Sequence, residues 1–314
     1  MSLAPYVRIV AQGKGRARSL TLDEAEAAMS LILSKDVAPE ALGALLMVLR
    51  LRGETDEEIA GFTSALRRSV DAKLQPADLD WPCYAAGRTR GAPLFLLAAK
   101  LVANAGYSVS MHGCNSHQST AADLQQAMQT TGVLGGGLHY TPLDTLSPAA
   151  FDLLNLRDTF GLRSCINTVL RMWNPSVAAA SVQGVFHPSY RGLQSRAANL
   201  LGDKNLTVIK GGGGEFERNP SKDAALFGLR DGLELDASAP AILNDARRLH
   251  DPEHMIDLPA LWSGTTTQAF AEATIIGTAA LALWTVGDGP TVHSCEAKAT
   301  SLWDNRHSGV RISS

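Results

Sequence analysis

Leu206 to Ser221 reads LTVIKGGGGEFERNPS, and this stretch decides the fold because a short apolar run passes directly into four consecutive glycines. Such a join marks a strand ending in a loop. Gly accepts positive φ at little steric cost, so Gly211, Gly212, Gly213 and Gly214 can turn their N–H groups toward an anion. Glu215 and Glu217 follow at once. Loop-borne carboxylates beside a phosphate cradle are what a magnesium ion bridging to phosphate oxygens needs. The same glycines equally suit an ordinary surface turn, since glycine runs punctuate loops of every kind.

Working outward, Val182 to Val185 reads as a strand and Tyr190 to Leu201 as a helix, before the strand Leu206 to Ile209. Farther upstream, Pro93 introduces LFLLAAKLVANAG, a helix ending at Gly106, and Tyr107, Val109 and Met111 then alternate as strand positions do. His112 and Gly113 are expected to open a loop, and the next helix to begin near Thr120 and run through Leu124 and Met128 to Gly132. Downstream, Ala269 to Trp284 is apolar enough for a buried helix, and Asp288-Gly289-Pro290 turns into the last one. Alternating strands and helices imply an α/β fold with a mostly parallel central sheet and sites at the carboxyl ends of its strands. The loops after Met111 and Ile209 lie at such ends.

The first part of the chain is helical throughout. Thr21 and Glu24 form a capping box ahead of Ala25, Ala28, Met29, Ile32 and Leu33, and Thr55 and Glu58 form another ahead of Ile59, Phe62 and Leu66. Between them Leu42, Leu45, Leu46 and Leu49 fall on one face, and Gly53 closes that helix beside Arg50 and Arg52. Ahead of all three lies GKGRARS, where Lys14, Arg16 and Arg18 alternate with small residues. These cations suit phosphate contact, or simply a solvated face.

A length of 314 residues suggests two domains, and 45% hydrophobic with 19% charged residues gives ample core material. No window approaches the ~20 uncharged apolar residues of a membrane span. With no basic leader before a long apolar run, the chain is read as cytoplasmic, with no membrane partner. Cys83, Cys114, Cys165 and Cys295 are widely spaced, which signals neither a zinc knuckle nor a disulfide framework. The formal charge of −3 gives no global attraction to nucleic acid, so any such binding must come from locally clustered cations.

The stretch LTLDEAEAAMSLILS and the later ALGALLMVLRLRGETDEEIAGFTSALR resemble the N-terminal helical domain of the anthranilate phosphoribosyltransferase family, a glycosyltransferase family 3 group with the class IV phosphoribosyltransferase fold. The resemblance runs over nearly the whole chain, HPSYRGLQSRAANLLG included. It implies a helical dimerisation domain over 1–75, helices from about 157–180 packing on it, and an α/β domain over 76–314. It also implies a homodimer formed through the N-terminal helices.

At the family's site motifs the sequence departs. The Gly-Thr-Gly-Gly-Asp-Gly loop for the pyrophosphate of phosphoribosyl pyrophosphate (PRPP) is matched by Ala85, Ala86, Gly87, Arg88, Thr89, Arg90 and Gly91, with glycines and the Asp lost. Lys-His-Gly-Asn becomes Met111, His112, Gly113, Cys114 and Asn115, with Ser119 and Thr120 beyond. Hydroxyls at a helix N-terminus hold phosphate or serve as plain caps. His112 has no carboxylate partner nearby in sequence and is read as structural, beside a backbone that suits an anion. The Asp-Glu pair for magnesium becomes Phe216 and Glu217, and Phe supplies no hard oxygen ligand. Arg163 matches the arginine that holds the acceptor's carboxylate. Nearby, Gly-Pro-Leu becomes Leu170, Arg171 and Met172, followed by Trp173. Arg171 and Trp173 then suit a phosphate and a stacked base, or Trp173 is core.

With these losses no catalytic residue is assigned, no metal or other cofactor is expected, and magnesium and PRPP enter only if transfer survives. Gly-Lys-x-x-Ala-Arg at Gly13 to Arg18 and Gly-Glu-x-x-x-Asn-Pro at Gly214 to Pro220 resemble a divergent, non-catalytic, nucleic-acid-binding branch. That resemblance implies nucleic-acid binding with little sequence preference, for DNA or RNA, single- or double-stranded; physically, a two-fold dimer would repeat Lys14, Arg16, Arg18, Arg88, Arg90, Arg163 and Arg171 in each subunit, which suits a shared basic groove. The alternatives are a transferase moving phosphoribosyl from PRPP to an aromatic acceptor, and a pseudoenzyme that binds a phosphorylated metabolite.

Overall fold

The computed structural model describes residues 2–13, 15–69, 74–84, 91–114, 123–249 and 256–307. Four helices come first: α1 (Ala4–Ala11), α2 (Leu22–Leu33), α3 (Pro39–Arg52) and α4 (Asp56–Arg68). Both capping boxes form, Thr21 Oγ1 accepting from Glu24 N and Thr55 Oγ1 from Glu58 N, so orphan donors of the first turns are met locally. Glu58 is fully buried and does more than cap. Its carboxylate accepts Leu20 N and Thr55 N, each at 2.9 Å, and pairs with Arg52 at the end of α3.

The α/β part continues as β1 (Leu79–Cys83), α5 (Phe95–Asn104), β2 (Val109–Gly113), α6 (Leu124–Thr131), β3 (Leu138–Pro142), α7 (Leu143–Leu146), α8 (Pro148–Phe160), α9 (Ile166–Arg171), β4 (Ala180–Val185), α10 (Tyr190–Leu200) and β5 (Asn205–Lys210). It ends with β6 (Ala224–Arg230), β7 (Leu233–Ala239), α11 (Leu258–Ser263), α12 (Ala269–Thr285) and α13 (Val292–Asp304). The sheet order is β3-β2-β1-β4-β5-β6-β7. Strands β1 to β5 pair in parallel, and β6 and β7 extend the edge as an antiparallel hairpin. The order reverses between β1 and β4, and a crevice opens at the carboxyl ends of strands at such a point.

Side chains of β5 alternate between two cores, as a strand buried on both faces requires. Ile209 faces a core built from α5, α12 and α13, while Leu206 and Val208 face one built from the helical part. That second core joins residues of α1 to α4 with Leu143 to Leu154 and Cys165 to Trp173, so two separated stretches make one helical body. Arg67 of α4 ties this body to the sheet by a bidentate pair with Asp203 at 2.8 and 2.9 Å and bonds to the Met172 and Trp173 carbonyls.

Two boundaries differ from the sequence reading. His112 and Gly113 belong to β2 rather than to a loop, because their register with Pro82, Cys83, Thr141 and Pro142 continues the parallel pairing on both sides. The helix expected near Thr120 starts at Leu124, capped by the Asp123 side chain on Gln126 N at 2.9 Å. Among the described residues no helix is long and apolar enough to cross a membrane.

Candidate functional site

The glycine loop after β5 is largely buried and packed, unlike a surface turn. Gly212–Gly214 form a short 3-10 turn with Gly213 at φ 63° and Gly214 at φ 89°, conformations that favour glycine. A Cβ on Gly211 would stand 1.6 Å from the Glu215 carbonyl oxygen, and one on Gly184 would stand 2.1 Å from the Glu215 carbonyl carbon. These two glycines are therefore demanded by the chain folding over itself. Gly211, Gly214 and Glu215 donate their N–H groups to Val185 O, Gly211 O and Gly212 O. No backbone N–H bond from Gly212 or Gly213 is found among the described residues, so these two keep donors that an anion could take.

The carboxylates beyond the loop are held inside the protein. Phe216 is fully buried and meets Trp81 of β1 edge-on, ring centroids 5.4 Å apart. Glu217 is fully buried and accepts Phe95 N at 3.0 Å, at the first residue of α5. A carboxylate suits that position because the helix N-terminus carries partial positive charge. The 216–217 pair thus does not fit a magnesium site: one side chain is a core aromatic and the other a helix anchor. Glu215 is buried against Cys83 and Cys114, where its charge adds to burial in pushing the Cys114 thiol up to about 12.

His112 also belongs to the interior, and its side chain does not join the anion site with which its loop was grouped. Both ring nitrogens lie near buried partners, Nδ1 hydrogen-bonded to the Tyr84 hydroxyl at 2.7 Å and Nε2 3.2 Å from Asp80 Oδ1 without hydrogen-bond geometry. Ser181 Oγ donates to the other Asp80 oxygen at 3.0 Å. The carboxylate partner missing from the local sequence comes from the neighbouring strand. Trp173 is fully buried with its ring edge-on to His112 at 6.0 Å, so it is core and cannot stack a base.

Arg163 and Arg171 line one cavity of about 350 Å³ at the carboxyl end of β4, together with Arg50, Asn167, His187 and Tyr190. Arg163 is half-buried and Arg171 buried. Burial first, then Arg171, Arg157 and Arg50, lower the Arg163 pKa, which marks a crowded cationic cluster. Arg171 donates to Asn167 O at 2.9 Å, and its other terminal nitrogen lies 3.5 Å from the Cβ position of Gly214, so the cluster abuts the glycine loop. At the rim, Phe186 is 52% exposed and meets the exposed His187 ring edge-on at 4.9 Å. The site thus has an exposed aromatic pair in the loop after β4 rather than at Trp173.

The other expected cations do not converge here. Arg16 and Arg18 are exposed between α1 and α2, outside the cavity lining, and Arg18 is held by Glu24 at 2.6 and 2.7 Å. Lys14, Gly87, Arg88, Arg90, Asn115, Ser119 and Thr120 lie outside the described residues. Arg50, Arg157 and the Phe186–His187 pair were missed by sequence reading. The signal for Arg50 was present in its place at the end of α3, but nothing local aims that end at Arg163.

Residues 5–70 match the model of the glycosyl transferase family, helical bundle domain. The anthranilate phosphoribosyltransferase of Deinococcus radiodurans is 31% identical over 255 residues, 76% of this chain and 72% of that protein. That of Geobacillus kaustophilus is 27% identical over 303 residues, 88% of this chain and 87% of that protein. The crystal structure of the Thermus thermophilus enzyme superposes with a TM-score of 0.75 at 20% identity, covering 96% of this chain and 94% of that one. With that identity to the Deinococcus enzyme over most of both lengths, and the same fold throughout, the chain belongs to the anthranilate phosphoribosyltransferase family.

Proposed function

We propose that this family member has lost phosphoribosyl transfer and binds nucleic acid as a homodimer, with phosphates at Arg50, Arg163 and Arg171 and a base on the Phe186–His187 pair. The observation that carries the reading is the cationic cavity with exposed aromatic rings at its rim. Backbone charge neutralised by arginine releases counterions, and every base has a π-face to stack, so such a site binds strands with little sequence preference. The burial of Phe216 and the anchoring of Glu217 on Phe95 support the loss of transfer, because they occupy the positions of the family's metal carboxylates.

For dimerisation, α3 leaves Ala44 and Leu51 exposed, Leu51 at 91%, and Met47 and Val48 between them are only partly covered by the helical core. An apolar stripe of this kind is covered economically by the same stripe of a second copy. Two copies repeat the arginine cavity and bring the exposed Arg16 of each chain to the assembly.

The test is a fluorescence titration of labelled single-stranded DNA at increasing salt. Tight binding at low salt that falls linearly in log K against log salt supports the reading, and no binding at low salt overturns it. A second reading has one observation in its favour: Arg163 keeps the place of the acceptor-carboxylate arginine. Magnesium-dependent release of pyrophosphate from PRPP with an aromatic amine would restore it. One solved relative, the Saccharomyces cerevisiae enzyme, is in complex with PRPP and Mg; it superposes with a TM-score of 0.73 at 14% identity.

A further inference from the structure

A second cavity of about 380 Å³, which shares no lining residue with the Arg163 cavity, includes Gly211 and Gly212 of the glycine loop in its wall. Its walls come from the end of β5, the start of β6, α10 and the segment after β7. They carry Arg191, Lys210, Arg218, Lys222 and Arg248 against Asp223 as the one carboxylate among the described lining residues. Lys210, Lys222 and Arg248 are exposed and have no carboxylate within 4.0 Å among the described residues. Asp223 is partly committed, accepting Ala241 N at 2.9 Å. Arg218 is buried, bonded to Glu296 and to Pro240 O, yet its Nε–H has no acceptor among the described residues. Gly211 and Gly212 belong to the same lining, so the loop backbone faces this cavity too.

A buried donor that the described residues leave without an acceptor, beside clustered like charges that repel one another, makes a setting that favours a bound anion over water alone. An anion with several oxygens relieves both. We propose that this cavity is a second phosphate cradle, so that a nucleic-acid strand held at Arg163 crosses the glycine loop and places a further backbone phosphate among Lys210, Lys222 and Arg248. This rests on the nucleic-acid reading given above. The glycines explain the path: Gly214 touches the first cavity at Arg171, and Gly211 and Gly212 line the second. Both lysines are exposed and make no side-chain hydrogen bond or ion pair among the described residues, so their removal is expected to leave the fold intact.

The test compares wild type with Lys210→Ala/Lys222→Ala, and with Arg163→Ala, in salt titrations of a labelled oligo-dT, with thermal melts as the folding control. The lysine variant is expected to melt like wild type and to lose about 1.4 from the magnitude of the log K against log salt slope, about 0.7 for each phosphate contact removed. If wild type binds the strand and the lysine variant binds it with the same slope, the cradle is refuted while the nucleic-acid reading stands. If wild type binds no strand, that reading fails, and calorimetry with inorganic pyrophosphate decides the cavity. Pyrophosphate binding that survives Arg163→Ala and is lost in the lysine variant keeps it as an anion site for a free phosphorylated ligand. Equal binding, or none, in all three proteins overturns it.

Discussion

The Glu217 carboxylate accepts the Phe95 N–H at 3.0 Å, so an acidic side chain from the loop region after β5 closes the first turn of α5. This bond joins residues 122 apart and fixes the glycine loop to the helix beside it. Removing the carboxylate takes this acceptor away from the buried Phe95 N–H. Glu217→Ala is expected to lower unfolding stability by about 1–3 kcal/mol in urea melts, and Glu217→Gln by less because its carbonyl still accepts. Millimolar magnesium is expected to leave the wild-type midpoint unchanged; a rise would give Glu217 back to a metal.

Phe216→Asp restores a carboxylate at the family's position but places it edge-on to Trp81 in a closed core. The loss of a buried ring together with burial of an unpaired acid costs at least about 3 kcal/mol. The variant is expected to unfold at lower temperature by calorimetry and to gain no magnesium-dependent pyrophosphate release.

Phe186→Ala removes a ring that is half in solvent, so its thermal midpoint is expected to stay near wild type. Stacking on an aromatic contributes about 1–3 kcal/mol per base, so single-strand affinity is expected to fall roughly 5- to 150-fold by fluorescence titration. Unchanged affinity would remove the aromatic part of the site.

Leu51→Asp puts a charge at the most exposed apolar position of α3, in its last turn. Light scattering coupled to gel filtration is expected to show a dimer for wild type and a monomer for the variant, with an unchanged far-ultraviolet spectrum. A monomeric wild type would overturn the dimer.

Cys114 tests the interior of the site by pH. Burial first, then the Glu215 charge, push its thiol up to about 12, so the thiolate that alkylates is scarce near neutrality. Because the folded value is raised, labelling by iodoacetamide is expected to be slow at neutral pH and to climb about tenfold per pH unit well past the ordinary cysteine value of about 8.5. Mass spectrometry of the native protein reads this, and fast neutral labelling at Cys114 would contradict it.

Much of the fold was legible locally. The capping boxes at Thr21 and Thr55, the glycines closing helices at Gly53 and Gly132, and the alternation around Val182 to Ile209 are short-range signals, and the helices and strands stand where these put them. Strand β1 was hidden because Pro82 sits inside it, a residue that argues against a central strand. The β6–β7 hairpin had a signal that went unread: Asp231-Gly232, both at positive φ, is the pairing a two-residue hairpin turn demands.

What the sequence by itself determined is the succession of elements and the departures from the family's motifs, because caps, periodicity and residue identity are properties of neighbours in the chain. What only the tertiary structure decided is which side chains meet. Arg171 and Trp173 stand two residues apart, yet one lines a cavity and the other is core, since Arg171 ends α9 beside the loop after β4 while Trp173, past the helix end, packs into the helical core against His112. His112 finds Asp80, and Glu217 finds Phe95, because parallel strands with crossover helices bring residues tens of positions apart to one end of one sheet. No local pattern encodes that convergence.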